Sequence, residues 1–149
     1  MSEYLEITID KFIFRVAKDR LYTRDGVWLR PMSPQRVRLG VSDFFQQHNG
    51  DVAFVNVKTG GTRVAPGDEF ADVETMKVTV GLPSPIAGTI VEVNRGLELR
   101  PELVNQDPYE TGWLADIEPR DWQAAQAELL DASAYLAVMQ AQAAEELKS

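Results

Sequence analysis

The stretch "ADVETMKVTVGLPSP" (residues 71–85) reads as one continuous β-strand with a charged residue in its middle. Valines and threonines recur through it, and no Gly, Pro, Asn or Asp occurs from residue 73 to residue 80 to make a turn. Lys77 lies between Met76 and Val78 in this run. Periodicity alone predicts a lysine that faces solvent from an ordinary strand, and a lysine placed for chemical use is the alternative.

The composition predicts one globular domain over residues 1–149. Apolar residues make up 44% and charged residues 26%, and no apolar run approaches the ~20 residues that span a bilayer. The absence of cysteine excludes disulfides, thiolate metal sites and protein-borne redox sulfur. The first ten residues, "MSEYLEITID", carry acids where a signal peptide carries basic residues, so we expect a cytoplasmic protein without a membrane segment.

The net charge of −8 narrows the possible partners. Lysines and arginines are spread singly, and an acidic surface repels phosphate backbones, so nucleic-acid binding is disfavoured. An acidic surface fits a protein that docks onto basic partners, since charge helps orientation and association rate. Simple solubility is the plainer explanation of the same acidity.

Residues 21–118 consist mainly of short strand-like runs separated by Gly and Pro turns, which is typical of a β-sandwich or small barrel. The preceding "EITIDKFIFRV" (residues 6–16) alternates apolar residues and predicts a single edge or half-buried strand. The "SDFFQQHNGD" segment (residues 42–51) predicts a short helix, capped by Ser42 or Asp43 and ended by Asn49-Gly50.

The C-terminal segment changes to helical composition. From Asp121, a plausible helix cap, the chain is rich in alanine and contains no Gly or Pro to its end. Residues 131–133 are a possible break into two helices. We expect these helices to pack against the sheet, and a partner-binding helix is the alternative.

No catalytic constellation is present in the sequence. The single histidine, His48, has no HxH, HExxH or cysteine companions for a metal site, and no GxSxG, P-loop or GxGxxG motif occurs. The adjacent acid pairs Asp68-Glu69 and Glu145-Glu146 are poorly placed to act as acid and base on one substrate. This absence favours a carrier or binding protein over an enzyme.

The segment "GDEFADVETMKVTVGLPSPIAGTIVEVN" (residues 67–94) resembles the modification hairpin of the lipoyl and biotinyl carriers. The resemblance implies a flattened barrel, a hybrid-motif sandwich of two small antiparallel sheets, with a short helix near 42–48 and C-terminal helices. It also implies that the chain folds back at Met76-Lys77, with the lysine acylated at the hairpin tip.

Further motifs resemble the H-proteins of the glycine cleavage system. They are "LYTRDGVWLRP" (21–31), "GVSDFFQQHNGDVAFVNV" (40–57), "PELVNQDPYETGWLADIEP" (101–119) and "DASAY" (131–135), and the resemblance covers about residues 21–139. It divides the chain into an N-terminal extension (1–20), a β core (21–118) and a helical segment (121–147).

The resemblance to H-proteins implies a non-catalytic carrier with lipoate covalently attached to Lys77. The family's recognition positions around the lysine fall on Gly61, Glu74 and Gly88, and Met76 and Val78 flank the arm. An acid that the family places four residues after the lysine is replaced here by Gly81.

Three segments depart from the usual H-protein sequence and resemble instead the H-protein-like lipoate-binding proteins of bacterial sulfur oxidation. They are the run from Thr75 to Val80, Gly26-Val27-Trp28 and the long N-terminal segment. This branch implies an arm that carries a sulfur species to a heterodisulfide-reductase-like complex, and it is the interpretation favoured from the sequence. The alternative is a glycine cleavage H-protein that carries an aminomethyl group among the P-, T- and L-proteins.

Both branches imply the same helpers: a lipoate–protein ligase or lipoyl transferase, and dihydrolipoamide dehydrogenase. We expect a monomer, since a carrier must visit several active sites. Two other classes stay open. A methionine directly before the modified lysine, here Met76 before Lys77, is typical of biotin carriers. An unmodified binding module would instead use only the acidic surface.

Overall fold

The computed structural model describes residues 3–148. The strands are β1 Tyr4–Ile9, β2 Phe12–Ala17, β3 Leu21–Tyr22, β4 Val27–Ser33, β5 Arg36–Val41, β6 Val52–Val57, β7 Arg63–Val64, β8 Glu69–Thr75, β9 Thr79–Pro83, β10 Gly88–Val93 and β11 Ala115–Pro119. The helices are α1 Asp43–Asn49, α2 Gly96–Leu99, α3 Leu103–Gln106, α4 Trp122–Gln126 and α5 Ala132–Lys148.

The strands form antiparallel sheets arranged as an unclosed, flattened barrel, which confirms the predicted fold class. A six-stranded sheet has the order β3-β4-β5-β11-β10-β7, and a three-stranded sheet has the order β6-β8-β9. Their inner faces enclose a core of buried apolar side chains, with Leu39, Phe70, Val73 and Ile117 fully buried. A third, two-stranded sheet β1-β2 adds to the two that were predicted.

The N-terminal segment is a hairpin, so the prediction of one strand over residues 6–16 is wrong. Strands β1 and β2 pair from Ile9↔Phe12 to Tyr4↔Ala17 around a turn at Asp10, whose φ is 57°. Asp is one of the few residues that adopts this left-handed conformation at modest cost, so a single Asp can reverse an alternating run.

The outer edge of β2 is closed by side chains from the rest of the domain. The Arg15 amide donates to the Asp43 carboxylate at 2.9 Å, and Gln47 Nε2 donates to the Ile13 carbonyl at 2.9 Å. The Tyr109 hydroxyl donates to the Arg15 carbonyl at 2.8 Å. These bonds fix the hairpin onto α1 and onto the loop before β11.

The predicted helix caps are present. Ser42 Oγ accepts from the Phe45 amide at 3.1 Å, and Gly50, with φ 86°, donates to the Gln46 carbonyl to end α1. Asp121 accepts from the Ala124 amide at 3.1 Å. Two helices are present, but the break between α4 and α5 lies at residues 127–131, earlier than the predicted 131–133, and Ala132 and Ser133 already belong to α5. The sequence did not predict the one-turn helices α2 and α3.

Helix α5 covers a second core cluster. The Tyr135 ring stacks on the Tyr22 ring with centroids 4.6 Å apart, and Met139 is fully buried beside them. Trp28 Nε1 donates to the Pro108 carbonyl at 3.0 Å, which satisfies the one polar atom of that buried indole. Across residues 3–148, no helix is long and apolar enough to cross a membrane.

Candidate functional site: the hairpin that carries Lys77

Strands β8 and β9 form a hairpin whose turn contains Lys77. The Thr75 amide donates to the Val78 carbonyl at 2.8 Å, which closes the turn. Thr75 Oγ1 accepts from the Lys77 amide at 3.2 Å and from the Val78 amide at 3.1 Å, and it donates to the Val78 carbonyl at 3.0 Å. The chain therefore reverses at residues 76–78, as the resemblance implies, and the interpretation of residues 73–80 as one strand is wrong.

Lys77 lies at the exposed tip of this turn. Its neighbours are also exposed, Met76 at 82% and Val78 at 46%. The Lys77 amine forms no ion pair within the described residues 3–148. A partner protein can thus reach the amine without any rearrangement of the domain.

The three-stranded sheet presents a polar outer face beneath the tip; we call it the hairpin face and define it by Phe54, Asn56, Asp72 and Glu74. Glu74 pairs with Thr79 across the hairpin and with Phe54 on β6. Asn56 Nδ2 donates to Asp72 Oδ1 at 2.7 Å and to Glu74 Oε1 at 3.3 Å. The structure therefore brings Glu74 close to the lysine turn.

Gly88 lies on the other sheet and Gly61 lies in the turn that leads into it, and the structure does not bring them to the hairpin tip. Gly61, with φ 93°, donates to the Ile90 carbonyl at 2.7 Å in the turn before β7. Gly88 pairs with Val64 and Pro119, and a Cβ there would overlap the Glu118 carbonyl oxygen. Each glycine thus has a backbone reason to be glycine. Their role in recognition stays a prediction.

His48 links two helices. Its ring stacks on Phe44 with centroids 5.8 Å apart, and its Nδ1 contacts the Glu146 carboxylate on α5. Within residues 3–148, no group of three or more His, Cys, Asp or Glu side chains is placed to hold a metal ion. The geometry gives His48 a packing role.

A pocket of about 360 Å³ lies between the hairpin sheet and the helices. Val80 of β9 forms one wall, three residues after Lys77, and Phe45 and Tyr135 form others. Asp25, His48 and Glu146 add polar groups to the lining. The pocket thus offers an apolar surface with a polar rim next to the hairpin.

An exposed lysine on a locked turn of a flattened barrel defines a non-catalytic carrier of the lipoyl and biotinyl class. Comparison with known proteins identifies the branch. The sequence model of the family described as "Glycine cleavage H-protein" matches residues 20–142. The chain belongs to this family, whose members carry lipoate covalently attached to a lysine and act as carrier subunits.

Individual relatives agree with the family match. The glycine cleavage system H protein of Thermus thermophilus is 42% identical over 128 residues, which cover 86% of this chain and 98% of that protein. The H protein of Mycobacterium avium is 40% identical over 123 residues, covering 80% and 93%. The crystal structure of an H protein from Mycobacterium marinum superposes with a TM-score of 0.71 at 34% identity, covering 79% and 94%.

These matches confirm the predicted lipoyl carrier and give no support to the biotin carrier. They bear on the branch as well. The relatives are described as glycine cleavage proteins, and none of the matches described above points to sulfur oxidation. The comparisons therefore favour the glycine cleavage alternative over the sulfur branch that the sequence dialect favoured.

Proposed function

We propose that this protein is an H-type lipoyl carrier of glycine cleavage and that lipoate is attached to Lys77 Nζ. The observation that carries the proposal is the exposed amine on a turn locked by Thr75, in a chain of this family. The residues present fit the group, since amide formation needs a lysine amine that a ligase can reach. When bound, lipoate supplies a dithiolane at the end of a long flexible chain, which takes up an aminomethyl group through its sulfur.

The protein itself would present the lipoyl group to partner enzymes and protect the group that it carries. The Thr75 turn holds the attachment point in one orientation, so the tether starts from a fixed place and its end has a high effective concentration near the domain and its partners. The scaffold contains no cysteine, so no thiol of its own competes for the carried disulfide. The pocket walled by Val80, Phe45 and Tyr135 would shelter a group attached to Lys77 from water.

The partners follow from the same proposal. A lipoate–protein ligase or lipoyl transferase would load Lys77, and the P-, T- and L-proteins of glycine cleavage would use the carrier, the L-protein being dihydrolipoamide dehydrogenase. The net charge of −8 suits docking onto basic surfaces. A monomer in the cytoplasm, organised as a single domain, is the state in which we expect it to work.

The deciding experiment measures the intact mass of the protein and its ability to accept an aminomethyl group. Intact mass of protein from its native cells should show a lipoyl adduct, and proteolysis should place it on Lys77. The lipoylated protein should then accept an aminomethyl group from glycine in the presence of a P-protein, with release of carbon dioxide. The Lys77→Arg variant keeps the charge and should show neither adduct nor carbon dioxide release.

Sulfur transfer remains a second candidate because the residues on both sides of the lysine are apolar. Met76 and Val78 are exposed beside the lysine, and position 81 lacks the acid that the family carries. The same assay separates the two functions. A lipoylated protein that accepts no aminomethyl group from a P-protein would reject glycine cleavage and leave the sulfur branch.

A further inference from the structure

A β-bulge re-aims one acidic side chain on the lysine hairpin. Glu69 pairs with Pro83, but the next pair is Ala71 with Leu82, so Phe70 is the extra residue on β8. Phe70 and Ala71 are both buried. Strict alternation would put Glu69 on the inner side with Val73; the bulge instead directs it outward, onto the side of Asp72 and Glu74.

The Glu69 carboxylate lies above Gly81. A Cβ added at Gly81 would overlap Glu69 Oε1, so the carboxylate fills the space where a side chain at position 81 would begin. Gly81 is opposite Asp72 in the register and has an ordinary backbone conformation that other residues can adopt. This is the position, four residues after Lys77, where the resembled family carries an acid.

The hairpin face and Glu69 together form a negative surface without cations. In residues 3–148, no Lys or Arg nitrogen lies within 4.0 Å of the carboxylates of Glu69, Asp72 or Glu74. Phe54 adds a large apolar side chain, 63% exposed, to the same face. Uncompensated charge beside an exposed aromatic group suits a basic protein surface that docks next to the lysine.

We propose that Glu69 is a specificity-determining residue for the modification of Lys77, a proposal that rests on the proposed function. Its carboxylate supplies, from the neighbouring strand, the negative charge that the family places at position 81. The occupant of the hairpin face is the basic surface of the enzyme that acylates Lys77. Glu69 acts by orienting that enzyme and takes no part in the bond-making step.

Lipoylation of Lys77 reports on this docking, and the assay supplies every reagent that the reaction needs. A lipoate–protein ligase joins lipoate to AMP at the expense of ATP and releases pyrophosphate. The deprotonated Lys77 amine then attacks the activated carbonyl carbon; the new C–N amide bond replaces the C–O bond to AMP, and the amine nitrogen loses a proton. The product is heavier by one lipoyl group, which intact mass measures directly.

The test uses the full chain with a purified lipoate–protein ligase, lipoate and ATP, and follows initial rates by intact mass. Glu69→Gln should raise the KM for the carrier about fivefold with kcat little changed, since a docking charge is lost. Glu98→Gln is the matched control, because Glu98 is an exposed acid on α2 with no ion pair within the described residues. It should leave both constants unchanged.

A double variant tests whether the position of the negative charge, and not the residue that carries it, sets the KM. Glu69→Ala with Gly81→Asp returns a carboxylate to the same space from the other strand, and the KM should recover to within about twofold of wild type. Equal melting temperatures would show that all variants are folded.

Each outcome has one meaning. Wild-type KM in Glu69→Gln would overturn the inference and leave Lys77 as the attachment site. A folded double variant that stays as poor a substrate as Glu69→Gln would overturn the spatial argument. A wild-type chain that gains no mass, or gains it away from Lys77, would overturn the proposed function itself.

Discussion

The carboxylates of the hairpin face and the carboxylate of Asp116 lie in opposite environments. Asp116 on β11 is fully buried, and its oxygens accept from Arg36 Nε at 2.8 Å and from Arg38 Nε at 2.8 Å. Asp72 and Glu74 on β8 are partly exposed and share only the amide of Asn56. One set is neutralised inside the protein, and the other is left for solvent or a partner.

The difference separates structural polar groups from functional ones. A buried charge must be paired, so Asp116 is committed to holding the two arginines of β5 to β11. The buried Ser42 and Tyr135 hydroxyls are likewise committed to each other at 2.8 Å. Groups on the hairpin face are under no such demand, and their arrangement is free to serve recognition.

The largest effect concerns the lysine itself. Lys77→Ala and Lys77→Arg should both abolish the lipoyl adduct completely, because each removes the only amine at the tip of the turn. Their melting temperatures should match that of wild type, since an exposed side chain without an ion pair within residues 3–148 contributes little to stability. Intact mass and thermal unfolding check the two statements. An adduct retained at another lysine would contradict the first.

A paired substitution tests the comparison directly. Asp116→Ala should lower the free energy of unfolding by about 2–3 kcal/mol, because two arginines lose their shared acceptor while remaining partly exposed. Asp72→Ala, the matched change on the hairpin face, should cost under about 0.5 kcal/mol. Urea unfolding of both variants gives these values. Equal losses would erase the distinction between the two sets of carboxylates.

Alkaline pH probes the buried hydroxyl pair. Burial raises the pKa of Tyr135 from 10.0 to about 12, although the hydrogen bond with Ser42 opposes this. Above pH 10 Tyr135 ionises in the unfolded chain but stays neutral in the folded protein. The contribution of this residue to stability is therefore complete below pH 10 and is lost as pH rises toward 12. Wild type should therefore lose about 1 kcal/mol more than Tyr135→Phe between pH 10 and pH 11. Urea unfolding at each pH measures this; parallel curves would be the contrary result.

The smallest effect sharpens the view of the hairpin face. Asn56→Ala should reduce stability by about 0.5 kcal/mol, because it removes exposed hydrogen bonds to Asp72 and Glu74 and leaves the carboxylates solvated. Lipoylation should slow by about twofold, since the two acids lose their common anchor. The ligase assay and urea unfolding measure both. A stability loss as large as that of Asp116→Ala would show that the face is structural.

The sequence predicted the fold through resemblance and the caps through local chemistry, but the strand patterns concealed two chain reversals. At the lysine tip, no Gly, Asn or Pro marks the turn; the hydroxyl of Thr75 makes it, and Thr is also a good strand residue. At Asp10, a single residue in the left-handed conformation reverses the chain. Thr75 fits the strand pattern around it, whereas Asp10 is a turn residue whose signal was hidden by the alternating apolar residues on both sides.

The site was predictable only in part. Lys77 and Glu74 are close in sequence and lie close in the hairpin, so their relation could be read from the chain. Glu69 could not, because a bulge at Phe70 changes which face it occupies, and no period-two pattern shows where a residue is skipped. The relevant signal was Gly81, a missing side chain in a strand, which often marks the close approach of another group.

The side-chain bonds that close the outer edge of β2 bear on what counts as the folding unit. The family match begins at residue 20, yet Asp43, Gln47 and Tyr109, all inside it, use their polar groups on the hairpin before it. A chain trimmed to the shared family residues would lose these three bonds and uncover Phe44, which is now 7% exposed. The shared family region and the packed domain therefore have different N-terminal boundaries in this molecule.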